Sequence, residues 1–460
     1  MSISSFISLL RPKLSLGAEI FCDPEDIGFQ KCLERWSNVD VKVPTAIFCP
    51  STYLDVGIII EVASEHEIPF VAVSGGHSPW STISSPGFIL DLRMLNKITV
   101  DNENEIVKVA GAVLTNELAA TLSEAGRCTT VANGNTVGVI PYCLGGGISI
   151  LTAVAGYACD QITEATVALA DGRIVRANEN LEPDLFWAIK GSGCHFGIVL
   201  ELSLKTFPLS ILGSDDGSHW AGTFIYTLDR AEEVCKVLEP IMANEEYNTA
   251  GSIVLAAPPP AFQPMLVVAP RFMGDPERAL SLFQPLSDLG PSMMSSSNPL
   301  FFEYQHAIDY ACAKGDFKHF NLVGISDFKT ANFLQVVEVY KELLSTCADA
   351  GPSSYLIQWH TSVSKPVVSE SAYSHQDIFI WLNTFSWYHQ AENRDLVMDF
   401  QNRAIAAIRK DQEEANYVDY ASTNRGAPVE RRYGGADRIL KLRQLKQKWD
   451  PKGVFTREFL

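Results

Sequence analysis

At 460 residues the chain is too long for one ordinary hydrophobic core, and its 47% apolar and 20% charged residues are those of a folded globular protein of two or three domains. With 36 basic against 54 acidic residues the net charge is -18, which repels phosphate backbones and anionic lipid, so neither nucleic acid nor membrane is an expected partner. No apolar run reaches the roughly 20 residues that span a bilayer.

The N-terminal MSISSFISLLRPKLSLGAE has a brief apolar stretch with no basic region before it and with Arg11 and Lys13 soon after it. It makes a poor signal peptide, so an intracellular, cytoplasmic location is the expectation. The 10 cysteines show neither CxxC nor paired Cys/His spacing, so neither a metal site nor a disulfide framework is expected.

In chain order, Thr52 and Asp55 have capping-box spacing, and Val56, Ile59, Ile60 and Ala63 recur at helical spacing, which predicts a helix from about Tyr53 to His66. PFVAV comes next as a buried strand and breaks into Gly75-Gly76, which frees the backbone to turn sharply before His77. From this stretch alone, His77 reads as a loop histidine with satisfied hydrogen bonds. FILDL and EIVKVAGA read as strands, and a helix around Asn116 to Ala125 stops at Gly126. ATVALADGRIVRA predicts a hairpin in which Asp171-Gly172 supplies the positive φ angles of a tight primed turn. GIVLELSLKTFPL alternates like a half-buried strand. This half reads as α+β and mostly antiparallel.

From about Leu209 the texture changes to Pro-, Gly- and Ser-rich stretches between apolar runs. Phe333, Val336, Val337, Tyr340, Leu343 and Leu344 form an apolar stripe at helical spacing, which reads as core. SYLIQWHTSV and DIFIWLNTFSWY read as strands on which Gln358, His360, Asn383 and Trp387 could line a pocket or stand on an outer face. Two helices on a sheet would suit this region. The chain closes with a helix that stops at Asp450-Pro451.

Three glycine-rich turns remain: SGGH; GNTVGVIPYCLGGG with Gly134, Gly138, Gly145, Gly146 and Gly147; and GSGCHFG with Gly191, Gly193 and Gly197. Such turns expose backbone amides to a pyrophosphate. None has the strand, spacing and acidic residue of a nicotinamide fingerprint, and none is followed by a Walker lysine. Their separations imply one extended ligand touched by several strand ends.

The order SGGH, VGV with LGGG, DQITEATVALADGRIV, DLFWAIKGSGCHFGIV, NYVD and KWDPKGVF resembles the berberine bridge enzyme-like FAD-linked oxidases, of the vanillyl-alcohol oxidase and p-cresol methylhydroxylase type. The resemblance is dense between Pro50 and Pro208 and from Asn416 to Phe455, and thin between. It implies an α+β fold: a p-cresol methylhydroxylase-type FAD-binding domain of two α/β subdomains, plus a substrate domain with an antiparallel sheet covered by helices. The expected bounds are 1–208 for the first part of the FAD-binding domain (core 41–208), 209–409 for the substrate domain, and 410–460 for a segment returning to the first.

The resemblance makes His77 the covalent linkage to the flavin 8-methyl carbon. Ser74, Gly75, Gly76 and Ser78 would cradle the pyrophosphate, and Thr136, Val137, Gly138, Gly146, Gly193 and Val199 would line the rest of the groove. Asn416 and Tyr417 would close over the ring, with Tyr417 as catalytic base; Gln358, His360, Asn383 and Trp387 would meet the substrate, Gln358 and His360 also as candidates for a share in catalysis. Relatives carry a second, cysteinyl link where this chain has Gly134, so a single link is expected. The arginine before SGGH is Val73 here, and the asparagine of GxGNFG is His195. Val137 stands where the resemblance links residue size to oxygen access. The implied reaction is hydride transfer from an alcohol or amine of secondary metabolism to FAD, then reoxidation by dioxygen to hydrogen peroxide. A flavin scaffold for a cyclisation, or a dehydrogenase poor in oxygen reactivity, is the alternative. Partners are then a small-molecule substrate and dioxygen; oligomeric state stays open.

Overall fold

The computed structural model describes residues 3–258, 262–361, 370–412, 417–420 and 423–456, with Ala307 and Tyr417 described by backbone alone. Among these residues the strands form a four-stranded and a five-stranded sheet in the first part of the chain, a short pairing of Arg127–Cys128 with Phe207–Pro208, and an eight-stranded sheet in the middle.

The four-stranded sheet grows around a strand, helix, strand unit. Thr52 Oγ1 accepts from Asp55 N at 3.1 Å and Asp55 Oδ2 accepts from Thr52 N at 3.0 Å, and this capping box starts the helix Tyr53–Glu65. Against the pull of burial, donors from Ser15 and Thr52 hold the Asp55 carboxyl below its usual range. Ala46–Cys49 and Phe70–Val73 both lie parallel to Phe88–Asp91, and Glu19–Phe21 closes one edge antiparallel. The helical crossover requires that parallel order, so the region is less antiparallel than its sequence suggests. The apolar N-terminal stretch is the helix Ile3–Leu10, which buries Phe6 and Leu10; Phe6 packs on Phe48 and Phe88 at 5.6 and 5.4 Å between ring centroids.

The five-stranded sheet is wholly antiparallel, in the order Ile98–Asp101, Ile106–Ala110, Ile198–Lys205, Ile162–Ala168, Ile174–Ala177. Ile198–Lys205 is its central strand and both faces are covered, Ser203 included, where alternation predicts a half-buried strand. The predicted hairpin at Asp171-Gly172 forms with a different turn. Gly172 alone has positive φ (79°), Gly172 N donates to Leu169 O at 3.0 Å, and Leu169 N donates to Arg173 O at 2.9 Å. This is a longer loop closed by one left-handed glycine rather than a two-residue primed turn.

The large sheet runs Met293–Ser297, Trp220–Thr227, Met265–Phe272, Thr249–Ala256, Ser354–Thr361, Ile380–Tyr388, Phe317–Ile325, Tyr417–Asp419, antiparallel throughout. One face buries Ile253, Ile357, Trp359 and Leu382 against helices Ala231–Met242, Pro276–Asp288, Thr330–Thr346 and Arg394–Ile408, four where two are expected. Phe333, Val336, Val337, Tyr340 and Leu343 are buried there, each worth about 1.5–3 kcal/mol of transfer. On the opposite face Ala250, Leu322 and Trp381 join the core of the first part of the chain. After Tyr417–Asp419 completes the sheet edge, the helix Ala436–Trp449 lays Leu442, Leu445 and Trp449 into that same core.

One side-chain cluster has no sequence signature. Cys32, from helix Ile27–Leu33, and Cys49 bring their sulfurs to 3.7 Å beside Asp91. Arg93 ion-pairs with Asp91 at 2.8 Å, so the trio is a buried thiol pair capped by an ion pair.

Candidate active site

The loop after strand Phe70–Val73 and the segment leading to helix Val139–Leu144 are locked together through their glycines. A Cβ on Gly75 would stand 2.5 Å from Gly138 N, and one on Gly138 would stand 2.5 Å from Ser74 Oγ. Gly76 has φ of 71°. Gly146, at φ of 115°, makes room for the ring of Tyr373, and Gly193 for Leu144 and Ile189. The sequence pattern assigns these glycines to a ligand. In the structure their missing side chains let chain approach chain, and the amides of the turns are what remains for a ligand.

His77 sits at this junction. Its Nε2 and Thr136 Oγ1 are 2.8 Å apart. Its ring stacks on Trp36 with centroids 5.3 Å apart and planes inclined by 17°, and Trp36 stacks in turn on Phe385 at 5.6 Å. Trp36 is held by its backbone N–H to Gly76 O at 3.1 Å and by Nε1 to Ala311 O at 2.7 Å. Lys318 Nζ donates to the carbonyls of Trp36 and Ala313. Burial, then the charges of Lys318 and Lys314, push the His77 imidazole down to about 4, so it is neutral at physiological pH.

The polar strand residues lie on the sheet face that meets the first domain. Gln358 pairs in register with Trp381 and Ser252, and His360 with Ala250. His360 is 3% exposed, its two ring nitrogens have no hydrogen-bond partner, and burial drives it down to about 3. Its ring meets Tyr157 edge-on at 5.7 Å, and Tyr157 meets Tyr373 at 5.0 Å. Asn383 is buried on the same face. Trp387 stands apart: its Nε1 donates to Asp316 at 2.9 Å and Lys318 lies over its ring, so it braces the far end of its strand and is not gathered with Gln358 and His360.

The other residues singled out in the sequence take the following places. The Val199 side chain is packed in the core, which leaves only its backbone for a groove. Ser78 serves its own turn, Oγ accepting from Trp80 N at 3.2 Å. Val137 is half-buried, 3.3 Å from where a Gly134 Cβ would stand, and Cys312 Sγ is 3.4 Å from that same point. The Tyr417 backbone pairs with Ile325, while Asn416 lies outside the described residues. Val73 is buried in the small core around Ile47 and Ile89. His195 bonds through Nδ1 with Thr456 Oγ1 at 2.8 Å, and its carbonyl accepts from Lys446 at 2.6 Å, so it ties the GSGCHFG turn to the C-terminal segment. Arg425, which no motif marks, lies over the Trp80 ring at 4.8 Å and its charge reaches Cys194, between the SGGH and GSGCHFG turns.

Whether these residues fit a flavin dinucleotide can be judged from polar atoms that the chain leaves buried and unpartnered. Ser74 Oγ, Asn133 Oδ1, Gln358 Nε2, both His360 nitrogens and Tyr373 Oη are such atoms. Buried polar groups are rarely left so unless a ligand or water completes them. A polar, ring-bearing ligand between the glycine turns and the sheet fits that donor and acceptor set.

An FAD binding domain is matched over residues 44–178. The chain is 27% identical to the FAD-linked oxidoreductase hasG of Aspergillus fumigatus, over 95% of this chain and 96% of that one. In fold it is similar to the berberine bridge enzyme-like protein 1 of Physcomitrella patens (TM-score 0.84, 16% identity, 100% and 98% of the two chains covered). It is likewise similar to the glucooligosaccharide oxidase of Acremonium strictum (TM-score 0.81, 20% identity, 99% and 98% covered), whose FAD is described as 6-S-cysteinyl, 8α-N1-histidyl. Fold, glycine turns and matched domain together define an FAD-linked oxidoreductase, an enzyme with a p-cresol methylhydroxylase-type architecture. Within that class, its fold is that of the berberine bridge enzyme-like proteins. Among the described residues no helix is long and apolar enough to cross a membrane.

Proposed function

We propose that the enzyme oxidises a small alcohol or amine of secondary metabolism, using FAD joined to His77 by a single covalent bond, with dioxygen as final acceptor. The observation that carries this reading is the neutral His77 imidazole, clamped between Thr136 and Trp36 where the glycine turns converge. FAD bound there would supply a hydride acceptor that dioxygen reoxidises to give hydrogen peroxide.

The chain's own residues divide the remaining work. In the tautomer whose Nε2–H donates to Thr136 Oγ1, Nδ1 is the nucleophilic nitrogen of the histidine. Amides of Ser74 to Ser78 and of Thr136 to Gly138, with Gly146 and Gly193 shaping their turns, hold the phosphates; Arg425 contributes the charge that Val73 does not. Gln358, His360 and Asn383 orient the substrate from the sheet. His360, driven down to about 3, is too weak a base at neutral pH to take the substrate proton and acts as a hydrogen-bonding group. Tyr417 remains the proposed base, its backbone set by pairing with Ile325. Val137 borders the approach of dioxygen.

Oxygen uptake and peroxide release by the flavin-loaded enzyme, against a panel of benzylic, allylic and aliphatic alcohols and amines, test the reaction. Stoichiometric peroxide with at least one class is expected. Substrate-dependent bleaching of the flavin without oxygen uptake would make the enzyme a dehydrogenase instead.

A further inference from the structure

The sheet face beneath the first domain continues past His360 to a charged corner. Arg271, Ala250 and His360 are register partners on adjacent strands, with Ala221 on the far side of Arg271. The next row carries Ala269, Ser252 and Gln358. Arg271 and His360 are thus separated by Ala250, and beside Gln358 stand only the small Ser252 and Ala269, which leaves a floor on which a flat scaffold can lie.

Arg271 donates through Nη1 to Gly222 O at 3.3 Å and Pro270 O at 3.0 Å, and no described carboxylate is within ion-pairing distance. Burial lowers it to about 10, so it stays a cation. His219 is 2% exposed, and neither of its ring nitrogens has a hydrogen-bond partner. Burial first, then the Arg271 charge, pushes its imidazole down to about 3, so it is neutral. The Tyr304 ring closes the corner, 6.2 Å from that of His219. Its hydroxyl donates to the carbonyls of Val131 and Ala132, immediately before the Asn133 to Gly138 segment of the flavin site. A half-buried cation without a counter-charge is costly, and a buried imidazole without partners is rare. Both are relieved by one ligand group that accepts hydrogen bonds and carries negative charge.

We propose that Arg271 and His219 form a subsite for an anionic group of the substrate, a carboxylate or an ionised acidic hydroxyl, at the end remote from the reacting carbon. The assignment rests on the oxidase reading of the site and narrows its substrate to a flat organic acid, in contrast to a neutral sugar. A guanidinium presents a planar fork that matches a carboxylate, and charge-assisted hydrogen bonds of this kind are about twice as strong as neutral ones.

The test is calorimetric titration of the flavin-loaded enzyme with 2-naphthoate and with its neutral isostere 2-naphthamide. The expected result is at least about tenfold tighter binding of the acid. In Arg271→Gln that preference is abolished, in Arg271→Lys part of it survives, and in His219→Gln it is weakened. Flavin content and melting temperature are read on the same preparations; should Arg271→Gln fail to fold, His219→Gln carries the test with the same sign. Equal binding of acid and amide, no binding of either, or an unchanged preference in Arg271→Gln overturns the subsite and leaves Arg271 as a brace for two carbonyls. The readout is binding, so its failure is distinct from failure of oxygen uptake.

Discussion

The indole of Trp36 lies face to face with the imidazole of His77, ring centroids 5.3 Å apart, and the residues are held in register by the bond from Trp36 N to Gly76 O at 3.1 Å. A stacked aromatic pair is worth about 0.5–1.5 kcal/mol beyond its buried area, and here it fixes the orientation of a nucleophile. Trp36→Ala is expected to lower the covalently bound flavin fraction more than it lowers the melting temperature. Trp36→Phe, which preserves stacking, should restore most of it. Bound flavin absorbance per protein, measured after acid precipitation, checks both.

Gly75 has no space for a side chain. A Cβ would meet Gly138 N at 2.5 Å, a backbone atom that moves only if the two loops part. Gly75→Ala is therefore expected to cost about 1–3 kcal/mol, the range of an overpacked core, and to reduce FAD uptake by the apoprotein severalfold. Urea unfolding and flavin titration measure the two effects.

Asp419 is buried with a side chain 1% exposed and is flanked by Arg431 at 2.8 Å and Arg409 at 3.0 Å. Removing it leaves two guanidiniums facing an emptied site. Asp419→Ala should destabilise by about 3–5 kcal/mol and detach the strand Tyr417–Asp419, seen as faster amide exchange there. Asp419→Asn should do less harm because it keeps the shape and one acceptor.

Stability should fall on mild acidification. Burial pushes His219 and His360 down to about 3 and His375 down to about 4, all below the unfolded value near 6.5. Between about pH 6.5 and 4 the unfolded chain binds more protons than the folded one, so stability rises with pH and is lost as pH falls through that window. Each of these histidines contributes on the order of 1.4 kcal/mol per pH unit there. Urea midpoints at pH 7.5, 6 and 5 should decline in order, and His375→Gln should flatten the slope if it folds.

The sequence made local features legible. The Thr52 and Asp55 capping box, the Phe333 to Leu343 stripe and the three glycine turns each depend on residues a few positions apart. What it hid depends on contact between distant segments. Trp36 meets Ala311 and Lys318 across some 280 residues of chain, His195 meets Thr456, and the turn at Gly146 is shaped by Tyr373. Arg271 looks like an ordinary strand residue and His219 like the residue before a strand until the sheet places them under the first domain. Cys32 and Cys49 are paired by the seating of a helix on a strand, with no motif to announce them. Asp171-Gly172 shows the limit for turns: the dipeptide marks the reversal correctly, yet loop length and the single left-handed glycine were set by strand register.

Attachment of flavin at His77 is the central point. Cys312 Sγ stands 3.4 Å from where a side chain on Gly134 would begin, so it is the thiol placed to compete with a single histidyl link. Proteolysis of the FAD-loaded enzyme followed by mass spectrometry decides the matter. The expected result is one flavin-bearing peptide, the one containing His77, with the Cys312 peptide unmodified and the yellow colour released to the supernatant in His77→Ala. An unmodified His77 peptide from yellow protein, or flavin on the Cys312 peptide, would contradict it.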